Sequence, residues 1–214
     1  MNMKMMGKFI SQILAIEGVF MIPALVISLC YKETASVNAF LLTLGMIVFL
    51  SGVLFLCCRK AGSLFGAREG LVCVGFSWIA LSLLGCLPFV ISGNIHHFVD
   101  AFFETVSGFT TTGASVVPSV EALDKGILYW RSFSHWLGGM GVLVFLLAIA
   151  PSSKGTGFTM HLLRAESPGP DVGKLVPKMK QTATILYGIY VVLTISNFVF
   201  LLCGRMPCLE ALCT

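Results

Sequence analysis

The chain has 214 residues, of which 57% are hydrophobic and only 11% are charged, and its formal net charge is +4. Soluble domains carry about 25% charged residues, so this composition excludes an ordinary soluble enzyme or binding domain and indicates a membrane protein. The modest positive charge belongs to the segments between apolar stretches, and it gives no indication of a nucleic-acid partner.

Five stretches are long and apolar enough to cross a lipid bilayer, because a span needs about 20 mainly apolar residues. They cover residues 9–30, 37–57, 70–92, 126–150 and 183–203. A further apolar segment, 98–109, is too short to cross, so we expect it to enter the bilayer and return on the same side. The predicted fold class is therefore all-α: a polytopic membrane protein with about five transmembrane helices.

The first span, Phe9–Cys30, follows Lys4 and Lys8, and a basic start of this kind is also found in signal peptides. The stretch shows no small-residue cleavage site, so we expect a retained helix that is kinked at Pro23. Glu17 lies within it, and an acid inside a span is a functional candidate by default. The alternative is that Glu17 lies near the inner interface and pairs with a neighbouring helix.

Basic residues are concentrated on one side of this predicted topology. With a cytoplasmic N-terminus, the inner side carries Lys4, Lys8, Arg59, Lys60, Arg68, Lys154, Arg164, Lys174, Lys178 and Lys180, and the outer side carries Lys32, Lys125, Arg131 and Arg205. Cytoplasmic loops carry such an excess, so we expect a multi-pass protein with its N-terminus inside. If segment 98–109 crossed the bilayer, the basic loop 151–182 would lie outside, which is a second argument for re-entry.

Residues 70–150 show the order span, short helix, return and span. This helix–pore loop–helix unit, a re-entrant half-helix plus an extended filter, is the basic element of tetrameric cation channels. The C-terminal end of the half-helix Phe98–Phe109 should point into the membrane, where its partial negative charge favours a cation. Asp100 and Glu104 should lie near the outer end and attract cations to the pore mouth. Gly108 should let the chain leave the helix.

The return after the half-helix is predicted to be an ion-selectivity filter over residues 110–114. Thr110, Thr111 and Thr112 are β-branched and favour extended backbone, from which carbonyl groups can face a dehydrated cation. Gly113 permits a backbone angle closed to other residues and removes a side chain where the path is narrowest. Ala114 keeps the outer lip small. The alternative is a Thr/Gly-rich turn between helices without a function of its own.

The helix after the filter carries Arg131, which could pair with Asp100, Glu104 or Asp124 and so support the pore loop. The neighbouring glycines should let helices approach closely.

Enzyme functions find no support in the sequence, and we expect the protein not to be an enzyme. Ser132 and His135 lack the orienting acid and the oxyanion site of a hydrolase, and His135 has no evident partner for a haem or metal. The eight cysteines show no metal-ligand spacing. Cys203, Cys208 and Cys213 cluster on the predicted outer side and could pair.

Three stretches carry a resemblance to a known family, namely FFETVSGFTTTGAS, YWRSFSHWLGGMGVLVFLLAIAP and LLRAESPGP, in this order. They closely resemble the TrkH-type subunit of bacterial Trk potassium uptake systems, a group within the Trk/Ktr/HKT superfamily. The resemblance runs over essentially the whole chain. It implies potassium ion transport, with potassium as the transported substrate and no bound cofactor.

The resemblance also implies an architecture for the pore. Members of the family fold four non-identical helix–pore loop–helix units of one polypeptide around a pseudo-fourfold pore, and TrkH-type members add two leading helices. Gly113 matches the first filter glycine of the family. The backbone carbonyls of Thr111, Thr112 and Gly113 are therefore expected to hold potassium.

Partners and location follow from the same resemblance. It implies a homodimer in the bilayer of the bacterial cytoplasmic (inner) membrane, working with a cytoplasmic nucleotide-binding regulatory subunit of the TrkA type. The basic stretch Arg164–Lys180 is the expected contact for that subunit.

We expect four segments along the chain. They are two leading helices with an inner loop (1–69), the first pore unit (70–150), a cytoplasmic loop (151–182), and the start of a second unit (183–214). The last segment is so assigned because Leu209–Cys213 repeats the acidic and apolar texture of Asp100–Glu104. We expect the N-terminal part of a longer subunit, which does not conduct potassium by itself. The alternative is a non-conducting accessory protein that docks on a full-length transporter.

Overall fold

The computed structural model describes residues 3–59, 67–139, 141 and 176–213, with only the backbone described for 67–71, 121 and 176–183. These residues form helices joined by turns and irregular segments, with no strand among them. The helices are α1 (Met3–Cys30), α2 (Thr34–Cys57), α3 (Ala67–Gly85), α4 (Leu87–Ile91), α5 (Phe98–Phe109), α6 (Lys125–Gly139), α7 (Val176–Cys203) and α8 (Cys208–Cys213). A short 3₁₀ turn, Val120–Ala122, precedes α6.

Four helical stretches within the described residues are long and apolar enough to cross a membrane. They are Met3–Cys30, Thr34–Cys57, Val72–Ile91 and Thr184–Cys203. The all-α, multi-pass fold class is therefore confirmed. The remaining predicted span, 126–150, is described only as far as Gly139 in α6, apart from the single residue Gly141, and its other residues lie outside the described part of the chain.

Two helix starts differ from the sequence-based prediction. Helix α1 begins at Met3, so that Lys4 and Lys8 belong to its first turns. Helix α7 begins at Val176, inside the segment 151–182 that was expected to be a loop. Pro177 is compatible with this start, because proline is tolerated in the first turn of a helix, where its missing N–H has no partner to lose. The rest of that loop, 151–175, lies outside the described residues.

The stretch Val72–Ile91, which corresponds to the predicted span 70–92, is interrupted at one residue, Cys86, between α3 and α4. Pro88 has no N–H to continue the helical ladder, and the N–H of Phe89 donates to the Cys86 carbonyl at 3.2 Å instead of to Gly85. The Gly85 carbonyl accepts a hydrogen bond from the buried indole N–H of Trp130, at 2.9 Å. The interruption leaves the Gly85 carbonyl without a helical donor, and the Trp130 side chain of α6 supplies the missing hydrogen bond.

Helix α1 lies at the centre of the described bundle and packs against α2, α3 and α6. Ile13, Leu14 and Met21 of α1 are fully buried there. Helix α6 approaches α1 closely at Gly126, where a Cβ atom would overlap the hydroxyl of Ser28. Small residues allow such close crossings in membrane bundles. Large apolar side chains remain exposed on α2 and α7, for example Phe200, as in helices that face lipid.

A polar network at one end of the bundle joins the first turn of α2 to the connections before α5 and before α6. The Ser36 hydroxyl donates to Asp124 Oδ2 at 2.5 Å, and the Asn94 side-chain amide donates to the same oxygen at 3.1 Å. The backbone N–H of Asp124 donates back to Asn94 Oδ1 at 3.0 Å. The segment between Asn94 and Asp124, which contains α5, therefore begins and ends at the same end of the bundle.

The cysteines are free thiols where the structure describes them, including Cys203, Cys208 and Cys213. The pairing considered for these three is not formed.

Candidate functional site

Helix α5 has the predicted bounds, Phe98–Phe109. Ala101, Thr105 and Gly108 are buried on one face, while Val99 and Phe103 are exposed on the other. The Thr105 hydroxyl is satisfied within the helix by the Ala101 carbonyl, at 2.8 Å. The helix is thus strongly one-sided, and its buried face lies against α3, α4 and α6.

Helix α5 ends in a tight turn at the three threonines. The N–H of Thr111 donates to the Gly108 carbonyl and the N–H of Thr112 donates to the Ser107 carbonyl, both at 3.0 Å. This pair of bonds is a Schellman motif, which needs a left-handed residue at its centre. Thr111 has that conformation, with φ of +55°. The expectation of extended backbone at Thr110 and Thr111 was therefore wrong, because the open carbonyls at the helix end capture the following N–H groups.

Gly108 does not let the chain leave the helix, as the sequence had suggested. It lies inside α5, where a Cβ atom would overlap the Ser134 hydroxyl and lie 3.3 Å from His135 Nδ1. At Gly138, one turn further along α6, a Cβ atom would overlap the backbone carbonyl of Phe109. The two glycines therefore bring the end of α5 into direct contact with α6, as expected for glycines at helix crossings.

Beyond the turn, the chain follows neither helix nor turn from Thr112 to Val117. Gly113 has φ of +74°, which confirms that this position needs a backbone angle open mainly to glycine. Thr112, which lies between Thr111 and Gly113, has a negative φ. The sign of φ therefore alternates over these three residues. A regular strand has no such alternation, and the loop therefore does not turn its peptide groups as a strand would.

The carbonyl groups of the loop fall into two sets. The Thr110 carbonyl accepts from the Thr111 hydroxyl at 2.7 Å, and the Ala114 carbonyl accepts from the Ser107 hydroxyl at 2.6 Å. Within the described part of the chain, no donor is hydrogen-bonded to the carbonyls of Thr111, Thr112 or Gly113. Three consecutive carbonyl oxygens are thus available to a ligand, and they are flanked by carbonyls that are engaged.

Glu104 of α5 binds the chain segment that follows the open carbonyls. Its carboxylate accepts hydrogen bonds from the Ser115 hydroxyl at 3.0 and 3.2 Å and from the Val116 N–H at 3.0 Å. Its side chain is buried, with only 1% of the residue exposed. The expected position of Glu104 at the outer mouth was therefore wrong, because the returning chain and Arg131 enclose its carboxylate.

Arg131 pairs with Glu104, one of its three candidate partners. Arg131 Nε lies 2.5 Å from Glu104 Oε1, and both side chains are largely withdrawn from solvent. Asp124 is engaged instead with Ser36 and Asn94. Asp100 is half-buried in the first turn of α5, where a negative charge complements the helix dipole.

The sequence analysis missed Glu33. Its carboxylate accepts hydrogen bonds from the N–H groups of Lys125 at 2.6 Å and Gly126 at 3.1 Å, and so caps the start of α6, the helix that carries Arg131. No local sequence pattern reveals this cap, since its partners lie more than 90 positions along the chain. Ser107 was not considered either, although a hydroxyl next to Gly108 is a natural donor to a returning loop.

His135 Nδ1 contacts the Arg131 carbonyl at 3.1 Å, inside its own helix. No cluster of side chains suited to a metal ion is found among the described residues.

The chain is a multi-pass, all-α membrane protein. Between its longer helices it carries the short helix α5 and a loop whose carbonyls at Thr111, Thr112 and Gly113 are open. A family model described as "TrkH: Cation transport protein" matches residues 36–206. The chain belongs to this family.

Relatives of known identity agree with this assignment. The chain is 34% identical over 214 residues to "Trk system potassium uptake protein TrkH" of Halomonas elongata, covering 99% of this chain and 44% of that protein. It is 36% identical over 202 residues to the protein of the same name from Escherichia coli K12, covering 94% of this chain and 41% of that protein.

A solved structure is similar as well. The crystal structure of the potassium transporter TrkH from Vibrio parahaemolyticus matches with a TM-score of 0.74 and 30% identity, over 100% of this chain and 42% of that one. The chain thus spans less than half the length of the relatives that it matches.

Proposed function

We propose that this chain supplies one strand of the selectivity filter of a potassium-translocating membrane protein. The observation that carries the proposal is the run of three open carbonyls at Thr111, Thr112 and Gly113, in a loop held from behind by Glu104. Relatives that are 34% and 36% identical to the chain over the aligned residues are named potassium uptake proteins. Because the chain spans less than half of their length, the activity of a whole transporter is part of the proposal.

Backbone carbonyls suit this task, because they replace the water shell that a potassium ion loses when it enters a narrow path. The partial negative charge at the C-terminal end of α5, immediately before the loop, adds to the attraction for a cation. Ala114 contributes by position and size, since its carbonyl is already engaged by Ser107. Thr110 is the C-terminal cap residue of α5, and its carbonyl accepts a hydrogen bond from the Thr111 hydroxyl.

Glu104, Ser107 and Arg131 act as supports in this proposal and do not touch the ion. Glu104 and Ser107 fix the returning strand at Ser115, Val116 and Ala114, while Arg131 neutralises the buried carboxylate. Gly108 allows the helix to seat against α6, and Asp100 supplies negative charge at the outer end of α5. The loop would thus keep its shape when an ion enters or leaves.

The proposed topology is re-entrant, with a cytoplasmic N-terminus in the bacterial inner membrane. It is supported by the hydrogen bonds between Asn94 and Asp124, which bring both ends of the α5 segment to one end of the bundle.

The division of the chain into segments at residues 69, 150 and 182 belongs to the same proposal. So does the assignment of α8 as the start of a second half-helix, which is supported by its acidic first turn and its buried Ala211.

One strand does not surround an ion, so the other strands must come from further polypeptide. We also propose homodimerisation and regulation by a cytoplasmic nucleotide-binding subunit of the TrkA type. Most of the proposed contact for that subunit, Arg164–Lys180, lies outside the described residues; only its last five residues, at the start of α7, are described, and only in their backbone.

The test is potassium uptake in a bacterium that lacks its own uptake systems. A chimaera in which this chain replaces the corresponding N-terminal part of the Vibrio parahaemolyticus relative is compared with that relative and with the 214-residue chain alone. We expect uptake by the chimaera and none by the chain alone. A chimaera that reaches the membrane but does not transport potassium would contradict the filter assignment, and uptake by the chain alone would contradict the need for further strands.

A further inference from the structure

Glu17 is a buried acid that the proposed transport path does not use. It lies near the midpoint of the 28-residue helix α1, and only 2% of its surface is exposed. Among the described residues, neither of its carboxylate oxygens has a hydrogen-bond partner. The alternative considered from the sequence, a Glu17 paired near the inner interface, is therefore not what the structure shows.

The surroundings of Glu17 disfavour a negative charge. A Cβ atom at Gly85, the last residue of α3, would lie 3.0 Å from Glu17 Oε1, 3.0 Å from Thr105 Cγ2 and 3.2 Å from Phe109 Cε2. Thr105 and Phe109 belong to the last turns of α5. The carboxyl group therefore lies between the last turn of α3 and the side chains of the last turns of α5, where no hydrogen-bond donor among the described residues reaches it.

No charged side chain in the described part of the chain compensates for this. Cys86, which precedes α4 and directly follows Gly85, carries a thiol that is uncharged in its ordinary form. Arg131 on α6 is engaged with Glu104, and α2 contributes no basic residue. An isolated carboxylate away from water is strongly disfavoured and takes up a proton instead.

We propose that Glu17 is a proton-binding site. Its carboxyl group keeps its proton at neutral pH, beside the last turns of α5. Two buried glutamates of the same bundle thus differ in their surroundings. Glu104 is paired with Arg131 and accepts hydrogen bonds from two further donors, whereas the Glu17 carboxyl group has no hydrogen-bond partner among the described residues. Loss of the proton would place an unbalanced charge beside the end of the helix that precedes the open carbonyls. The inference about charge state stands independently of the proposed transport function.

Infrared spectroscopy of the purified chain in detergent micelles tests this directly. A protonated carboxyl group absorbs at a frequency well separated from that of an ionised carboxylate. At pH 7 an ordinary glutamate, with a pKa of about 4.3, is ionised. We expect a protonated-carboxyl band at pH 7 in the unmodified chain, its loss in Glu17→Gln, and its retention in Asp100→Asn, which removes a half-buried acid of α5.

Glu17→Leu, which is also neutral and of similar size, gives the same readout if the glutamine variant is poorly folded. The absence of the band from the unmodified chain would overturn the proposal. So would its persistence in both Glu17 variants. A carboxylate band at Glu17 that responds to added potassium or sodium would likewise overturn it, since the site would then hold a metal cation and not a proton.

Discussion

Arg131 Nε lies 2.5 Å from Glu104 Oε1, and this ion pair joins α6 to the short helix α5 directly behind the loop that carries the open carbonyls. Glu104 also binds the returning chain at Ser115 and Val116. One carboxylate therefore connects α5, the chain segment that follows the loop at Ser115 and Val116, and α6.

The side chains of Glu104 and Arg131 should be energetically coupled, so that removing both destabilises the chain by less than the sum of the two single removals. Glu104→Gln or Arg131→Met leaves one buried charge without its counter-charge, which costs about 3–5 kcal/mol. The double variant leaves no buried charge at either position, so its loss of stability should be clearly smaller than the sum of the two single losses. Denaturant unfolding of the purified chain in micelles measures this cycle, and strictly additive losses would show that the pair is not coupled.

Thr111 is a β-branched residue in the left-handed region, where L-residues other than glycine are disfavoured by about 1–2 kcal/mol. Thr111→Gly removes that strain, whereas the matched control Thr112→Gly removes none. Each change also deletes a hydroxyl that bonds within the loop, to the Thr110 carbonyl and the Thr110 hydroxyl respectively. We expect Thr111→Gly to be less destabilising than Thr112→Gly by about 1 kcal/mol in unfolding experiments. Equal effects would mean that the turn at Thr111 is not strained.

Gly138 should not tolerate a methyl group. A Cβ atom there would overlap the Phe109 carbonyl, and backbone atoms do not move aside as a flexible side chain does. Gly138→Ala is expected to lower stability by about 1–3 kcal/mol through overpacking. Gly75→Ala is the control, since a Cβ atom in that exposed helical position would meet nothing within 4 Å. The control should be neutral or slightly stabilising in thermal unfolding, and a similar loss in both variants would contradict the close contact.

Glu33→Ala should destabilise the start of α6 by about 1 kcal/mol, the usual effect of losing a helix cap. Glu33→Gln keeps one acceptor oxygen and should lose less. Hydrogen exchange at the amides of Lys125 and Gly126 gives a local readout, because these N–H groups bond to the Glu33 carboxylate. Unchanged exchange at both amides in Glu33→Ala would show that the cap is absent.

The apolar runs, the bounds of α5 and the need for an unusual angle at Gly113 could be predicted from the sequence, because each follows from local composition. The conformation of Thr111 could not. Its β-branched side chain favours extended backbone, but the carbonyls of Ser107 and Gly108 at the helix end draw the next N–H groups into a turn.

Long-range pairings were predictable only where few partners were available. Arg131 had three acidic candidates, and the structure selects Glu104. The cap by Glu33 joins residues from two distant connections and leaves no periodic signal. The burial of Glu17 at the centre of the bundle was equally hidden, since α1 is apolar around most of its circumference and no single face marks the core.

The central claim is that the open carbonyls around Gly113 select the ion. The most direct test measures potassium and sodium uptake by the chimaera carrying Gly113→Ser, with Gly93→Ser as the control. The two glycines have similar backbone angles, φ of +74° and +78°, and a Cβ atom at either would meet nothing within 4 Å. We predict that Gly113→Ser reduces the preference for potassium over sodium while Gly93→Ser leaves it unchanged. An unchanged preference in Gly113→Ser, or an equal reduction in both variants, would contradict the assignment.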